Sequence, residues 1–364
     1  NAGMANVVKA TRGKELLMIP ICMIVFGCGS AFCGNFEEFL AFVPLVLACC
    51  LTMGFDSLTA VGIIFCAAGA GAITNAFTIG VAQSIAGLPM FSGIELRVVL
   101  FITLETVSIL YVMWHASRVK KNPKSSSVYE YDMAHAHEHV IDIDNIPKMT
   151  LRQKLVLIIF VLGIIFTVHG VIVNGYYIDE LSAVFLAIGI LAGIVGGLRP
   201  GEICDSFEKG FGNMLFPCIM IGLANAAIVI LQDANIMDTI VHALASTLNN
   251  LHASMMACGM FVVQDIFNVL VPSGSGQAAI TMPIMAPLAD MLGVTRQTAV
   301  LAFQMGDAFT NVLAPTGGEI LAALAMCKTP YGKWVKYLLP LFVMWWIVAF
   351  IFLIYATKIG FGPF

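Results

Sequence analysis

Between Asn268 and Thr316 the chain twice interrupts apolar sequence with helix-breaking and polar residues. Asn268-Val-Leu-Val-Pro-Ser-Gly-Ser-Gly-Gln277 leads into an apolar helix broken by Pro283 and Pro287. After Gly293 a second apolar stretch runs into Gly306-Asp-Ala-Phe-Thr-Asn311 and then Ala314-Pro-Thr-Gly-Gly318. The surrounding sequence decides what such interruptions mean. Hydrophobic residues fill 59% of the 364 positions and charged residues 11%, against about 25% charged in soluble domains. Several apolar runs reach the ~20 residues that cross a bilayer. They are continuous rather than alternating, which excludes a β-barrel and leaves an all-α polytopic membrane protein. In hydrocarbon an unpaired backbone group is costly, so a broken helix persists only where protein or a water-lined site satisfies it. Paired half-helices around a polar break are how many transporters build a site near the midplane.

Taken in order, Leu16–Gly27 and the run after Glu37-Glu38 read as the arms of a re-entrant hairpin over about 16–53. Neither arm is long enough to span comfortably, and the tip falls at about 29–36. A discontinuous helix follows over about 57–87, interrupted at Gly69–Thr78, and then a full span at 94–117. Residues 118–150 are hydrophilic and, with Arg152 and Lys154 close behind, hold the densest positive charge, which places this linker in the cytoplasm. Its His135-Ala-His-Glu-His139 run reads as solvated linker rather than a metal site. Spans at 155–231 enclose an interfacial helix at 201–212, and a second amphipathic segment lies at 237–248. A second hairpin covers about 252–292, with its tip at 272–277. A second broken helix covers 297–327, interrupted at Thr310-Asn311, and a final span covers 334–355.

Shifting the sequence against itself by 239 positions registers Pro44 with Pro283, Gly54 with Gly293, Ala60-Val61 with Ala299-Val300 and Glu38 with Gln277. A three-residue adjustment brings Thr74-Asn75 onto Thr310-Asn311. Both copies (1–117 and 151–364) run hairpin, broken helix, span. Positive-charge counting gives them opposite orientations, so they are expected to be inverted repeats with tips meeting near the midplane. The second copy has about 100 residues before its hairpin and the first only fourteen, so the first is expected to lack roughly 90 N-terminal residues.

Ionisable residues inside a membrane are functional candidates. Glu37, Glu38, Asp265, Asp307 and Glu319 lie in or beside the hairpins and broken helices, and Arg296 is the one cation between Gly293 and Cys327. Carboxylates so placed need a cation, a proton or a cationic substrate. The substrate-binding candidates are Ser30, Asn35, Glu38, Asn268, Ser273, Ser275, Gln277, Asp307 and Thr316. Glycines beside them let backbone approach a ligand, and half-helix N-termini offer free N–H groups to a carboxylate. Thr74, Asn75, Asp307, Thr310 and Asn311 are the coupling-ion candidates, because hydroxyl, amide and carbonyl oxygens suit sodium. For any single hydroxyl, simple helix–helix bonding is an equal reading. The ten cysteines form no Cys-x-x-Cys pair and read as packing residues. No phosphate loop is present, and no basic stripe points to nucleic acid.

On Val271-Pro-Ser-Gly-Ser-Gly-Gln277, Met305-Gly-Asp-Ala-Phe-Thr-Asn311, Ala314-Pro-Thr316, Phe36-Glu-Glu-Phe39 and Pro44, the chain resembles the YfcC-like branch of the anaerobic C4-dicarboxylate carrier-like family, in the wider ion transporter superfamily. The resemblance covers nearly the whole chain. It implies a bacterial inner-membrane protein with a scaffold that mediates a homodimer. It also implies an elevator-type transport domain of two hairpins and two broken helices, coupled to sodium or protons. Names in the branch divide between dicarboxylates and basic amino acids. The superfamily's dicarboxylate carriers have Ser-Asn-Thr at both tips. Here tip two is Pro-Ser-Gly-Ser-Gly and tip one Gly-Ser-Ala-Phe-Cys-Gly-Asn, a departure that separates this chain from that binding mode.

The expected function is therefore ion-coupled secondary transport of a small carboxylate-bearing metabolite, a basic or zwitterionic amino acid such as arginine or ornithine. The alternative is a C4-dicarboxylate. No enzymatic activity, cofactor or resident metal beyond a coupling sodium is expected. A remote alternative, an intramembrane aspartyl protease using Asp265 and Asp307, is weakened because Gln304-Met-Gly-Asp307 lacks the first glycine of Gly-x-Gly-Asp.

Overall fold

A computed structural model describes residues 15–34, 36–135, 150–174, 178–212 and 253–362. All regular structure among them is helical. Four of the described helical stretches are long and apolar enough to cross a membrane: Glu15–Phe32, Ser57–Ile85, Ile94–Lys121 and Tyr331–Ile359. The chain divides into two compact units, one holding residues 3–146 and 223–364 and the other 147–222. The expected span at 215–231, the segment at 237–248, Asn35, and His137 and His139 lie outside the described residues.

In the larger unit, α1 (Met18–Cys33) runs straight through Gly27 and Gly29, so the first arm is longer than the glycines suggest. Packing explains this. A Cβ at Gly27 would meet the Glu105 carboxyl, and one at Gly29 would stand 3.0 Å from the Phe39 ring, so the glycines admit neighbours instead of breaking the helix. The chain turns at Gly34, whose φ of +67° is left-handed. It returns through a 3-10 turn (Glu37–Phe42) into α2 (Val43–Thr52). The first broken helix comprises α3 (Ser57–Ala72) and α4 (Ala76–Ile85), separated at residues 73–75. The long α5 (Ile94–Lys121) places Arg118, Lys120 and Lys121 in its last turn.

The beginning of the linker is folded. After a turn at Pro123–Ser125, α6 (Tyr129–His135) packs back on the start of α3. Asp56 caps α3, accepting bonds from Thr59 N (2.9 Å) and Thr59 Oγ1 (2.6 Å). It also accepts from Ser126 Oγ at 2.6 Å and lies 3.0 Å from His115 Nε2. Asp132 in α6 accepts from Ser57 N at 3.0 Å. Two carboxylates at one helix N-terminus complement its dipole. Burial alone would push the Asp56 carboxyl up, but His115, Ser126 and Thr59 outweigh it and hold it below the usual aspartate range.

The smaller unit contains α7 (Leu151–Asn174) and α8 (Ile178–Gly196). They pack closely where Gly163 lies against Ile188. A helical stretch at 200–212 folds back on α8, with Ile203 over Gly193 and Phe207 over Gly189. The left-handed Gly197 (φ +86°) makes that reversal.

Returning to the larger unit, α9 (Ala253–Leu270) and α10 (Gly274–Met291) form the second helix–turn–helix. Pro283 and Pro287 are both inside α10, so they do not break it. The second broken helix comprises α11 (Arg296–Leu313) and α12 (Gly318–Met326). Its interruption falls at 314–317, which puts Thr310 and Asn311 inside α11 and not at the break. Pro315 sets this boundary: the residue before a proline is driven to extended backbone, and Ala314 has φ −65° and ψ 136°. The carbonyls stranded at the end of α11 find donors on α13 (Tyr331–Ile359), where Tyr331 Oη bonds Leu313 O at 2.7 Å and Trp334 Nε1 bonds Val312 O at 2.9 Å.

Candidate functional site

A polar layer of the larger unit's interior lies where α9, the 271–273 turn and α10 meet α11 and α4. Asn268, fully buried, donates through Nδ2 to Asp307 O (3.0 Å) and Asn311 Oδ1 (2.8 Å). Asn311 in turn donates to Asp307 Oδ1 at 3.0 Å. The other carboxyl oxygen, Oδ2, faces the hairpin turn, and a Cβ placed on Gly274 would be 2.8 Å from it. That same Cβ would collide with Thr78 of α4. Only a glycine therefore lets the start of α10 sit between the two broken helices.

Glutamines extend this polar layer. Gln304, one turn before Asp307, donates to Thr78 Oγ1 (2.7 Å) and to the terminal carbonyl of α3, Ala72 O (3.0 Å). Gln277 ties the hairpin arms together by donating to Gln264 O (2.9 Å) and Oε1 (2.7 Å). Among the described residues, the Oδ1 of Asn268, the Oε1 atoms of Gln277 and Gln304 and the Nε2 of Gln264 are buried without a partner. Buried polar atoms are nearly always bonded, so these unpaired groups, on the second hairpin and on α11, are unusual.

The remaining sequence candidates divide. Thr310 bonds Asp265, both at the carbonyl (3.0 Å) and at Oδ1 (2.5 Å), where Gly306 lets α11 cross α9 closely. Ser273 caps α10, accepting from Gly276 N at 3.4 Å, and Ser275 is half-buried in its first turn. Thr316 bonds Val269 O at 2.8 Å, joining the second break to the end of α9. In the first half, Ser30 is buried beside Gly71, and Thr74 bonds Gly71 O at 3.0 Å. Asn75 caps α4 at Phe77 N (2.9 Å) and lies against the turn at Gly34. Thr74 and Asn75 thus satisfy local backbone at the first break, while Asp307, Asn311 and Asn268 form one bonded cluster. The Glu38 side chain lies outside what is described. Arg296 is engaged by Asp290 at 2.7 Å on the exposed end of α11.

Sequence reading passed over two buried charges in α5. Arg97 is fully buried, and none of its guanidinium nitrogens has a partner among the described residues. Glu105 is 5% exposed, with neither carboxyl oxygen partnered among the described residues. Both stand in a run taken as a plain span, although the rule that flags intramembrane ionisable residues applies to them equally. No group of three or more His, Cys, Asp or Glu that could hold a metal occurs among the described residues.

Apolar spanning helices, helical hairpins and broken helices closing on a buried polar layer define a multi-pass membrane transporter fold. Among solved structures, the Alcanivorax borkumensis YdaH transporter matches 100% of this chain and 84% of its own, with a TM-score of 0.71 at 13% identity. Neisseria gonorrhoeae MtrF, of a class described as antimetabolite efflux pumps, matches 97% and 76% with a TM-score of 0.68 at 16% identity. At such identities the likeness concerns the fold. The sequence carries the kinship further. Residues 1–358 match the DcuC family, the C4-dicarboxylate anaerobic carriers. Escherichia coli YfcC, provisionally named a basic amino acid antiporter, is 35% identical over 99% of this chain and 73% of its own. An uncharacterised Haemophilus influenzae protein is 32% identical over 94% and 68%. The chain belongs to the DcuC family, as a YfcC-like member. Its named relatives and structural neighbours are transporters rather than enzymes.

Proposed function

We propose that the chain is an ion-coupled secondary transporter of a basic or zwitterionic amino acid, with arginine and ornithine as model cargoes. The observation that carries this reading is the Asp307 cluster. One buried carboxylate, held by Asn311 in a polar layer where the side-chain carbonyl oxygens of Asn268 and Gln304 have no donor among the described residues, invites a cationic group or a coupling cation. The start of α10, bearing Ser273, Ser275 and Gln277, would supply N–H groups to the cargo's carboxylate. Asp307 and Asn311 are proposed to serve the coupling ion, sodium or a proton, together with Thr310 and, at the first break, Thr74 and Asn75. Ser30, Asn35, Glu38 and Thr316 complete the proposed substrate-facing set. The name of E. coli YfcC supports the amino-acid reading.

The family description favours a second reading, a C4-dicarboxylate, in which Asp307 serves only the coupling cation. In either case the two hairpins and broken helices would move as an elevator within a homodimer of the bacterial inner membrane, with the linker in the cytoplasm. Counterflow in proteoliposomes separates the readings. Unlabelled arginine or succinate is loaded inside, the labelled compound is added outside, and each is run with and without sodium. Arginine counterflow supports the proposal; succinate counterflow without arginine replaces it with the second reading.

A further inference from the structure

Glu105 sits well away from the Asp307 cluster in the chain and forms no part of it. It lies on the buried face of α5, between α1 and α3. Its carboxyl group lies flat against α1, because a Cβ on Gly27 would stand 3.0 Å from Oε2, 3.1 Å from Cδ and 3.2 Å from Oε1. On its other side the carbonyl of Gly27 presses directly on Gly71 of α3, next to Ser30. Glu105 is therefore one layer behind the first break, against the glycine pair that sets how closely the first hairpin packs on the first broken helix.

Cys28 of α1 and Cys66 of α3 lie near enough to feel the charge of the carboxyl. The third packed helix, α13, directs Trp345 Nε1 to Ser108 Oγ at 3.0 Å, one turn further along α5. No cation bonds either Glu105 oxygen among the described residues. An unpartnered carboxylate in such surroundings is very costly, whereas a neutral acid is tolerated. Contact with water or a parted α1–α3 interface would reverse that preference.

We propose that Glu105 is an intramembrane proton-binding site, loaded while α1 lies against Gly71 and unloaded to water when that packing opens. The step is a simple transfer: a carboxylate oxygen takes a proton from the aqueous phase, an O–H bond forms, and the same bond breaks on release. The proposal rests on the ion-coupled reading above and assigns a place to one coupling ion.

The test is infrared spectroscopy of the full-length protein in lipid, comparing wild type with Glu105→Gln from mildly acid to mildly alkaline pH. The wild type is expected to show the carbonyl-stretch band of a protonated, weakly bonded carboxylic acid. The band should vanish in Glu105→Gln and persist in Asp265→Asn and Asp307→Asn. Identical spectra for wild type and Glu105→Gln would overturn the proposal. Gly27→Ala provides an independent variant should the glutamine protein fail to fold. Its methyl would stand 3.0 Å from Oε2, so the band should shift, and an unmoved band would count against the assignment. In liposomes, uptake of labelled arginine or succinate driven by a pH gradient should fall to the protein-free level in Glu105→Gln. A Glu105 band in a wild type that moves neither compound would leave the proton site standing and remove the cargo reading. Undiminished pH-driven uptake in Glu105→Gln would do the opposite.

Discussion

Gly274→Ala tests the packing at the centre of the site with a single methyl group. The alanine Cβ would lie 2.8 Å from Asp307 Oδ2 and closer still to the Thr78 methyl. Ordinary van der Waals contact begins at 3.4 Å, so the carboxylate contact alone is short by 0.6 Å, and neither neighbour is free to yield. Thr78 Oγ1 is held by Gln304 at 2.7 Å and Asp307 Oδ1 by Asn311 at 3.0 Å. Overpacking of this kind costs about 1–3 kcal/mol. Alanine recovers about 0.4–1 kcal/mol through a less flexible unfolded chain, leaving a net loss of about 1–2 kcal/mol. Gly318→Ala is the control, since it also opens a helix (α12) but its Cβ would meet nothing within 4 Å. Thermal unfolding of the purified protein in detergent should show Gly274→Ala melting lower and Gly318→Ala unchanged or higher. Equal melting temperatures for Gly274→Ala and the wild type would refute the close approach of α10 to Asp307.

Two further outcomes follow from the rest of the fold. Because the Asp56 carboxyl is held below the usual aspartate range, its contribution is complete above the unfolded-state value and lost as pH falls through the folded one. Asp56→Asn should therefore lower the melting temperature at neutral pH and flatten its decline in strong acid, and parallel wild-type and variant profiles would contradict the cap. Trp334→Phe removes the donor to Val312 O and leaves a buried carbonyl unpaired, a loss of about 1–3 kcal/mol. An unshifted melting temperature would show that another donor serves the end of α11.

The sequence made some of these features readable and hid others for identifiable reasons. The turns at Gly34 and Pro272 announce themselves, because glycine and proline act on the backbone locally. Thr310 and Asn311 look like a break for their polarity alone. Yet α11 carries them helically, with Thr310 bonded to Asp265 and Asn311 to Asn268, so tertiary partners decide the matter. Gly27 and Gly29 mislead in the same way, since their missing side chains serve the packing of Glu105 and Phe39. Gln264 and Gln277 meet across the hairpin arms, and Gln304 reaches Thr78 and Ala72 of the first broken helix, contacts that only the fold shows. Glu105 and Arg97 were legible in principle but were averaged away in an otherwise apolar span.

The central claim is that Asp307 is the acidic centre of the transport site. Asp307→Asn tests it most directly, because the amide matches the carboxylate in shape and its oxygen can keep the 3.0 Å bond from Asn311. Concentrative uptake of labelled arginine would be measured in proteoliposomes with an imposed ion gradient, for wild type and variant at equal reconstituted amounts. The account predicts that the variant reconstitutes as a folded protein and accumulates arginine no better than protein-free liposomes. An Asp307→Asn protein that concentrates arginine as the wild type does would contradict it.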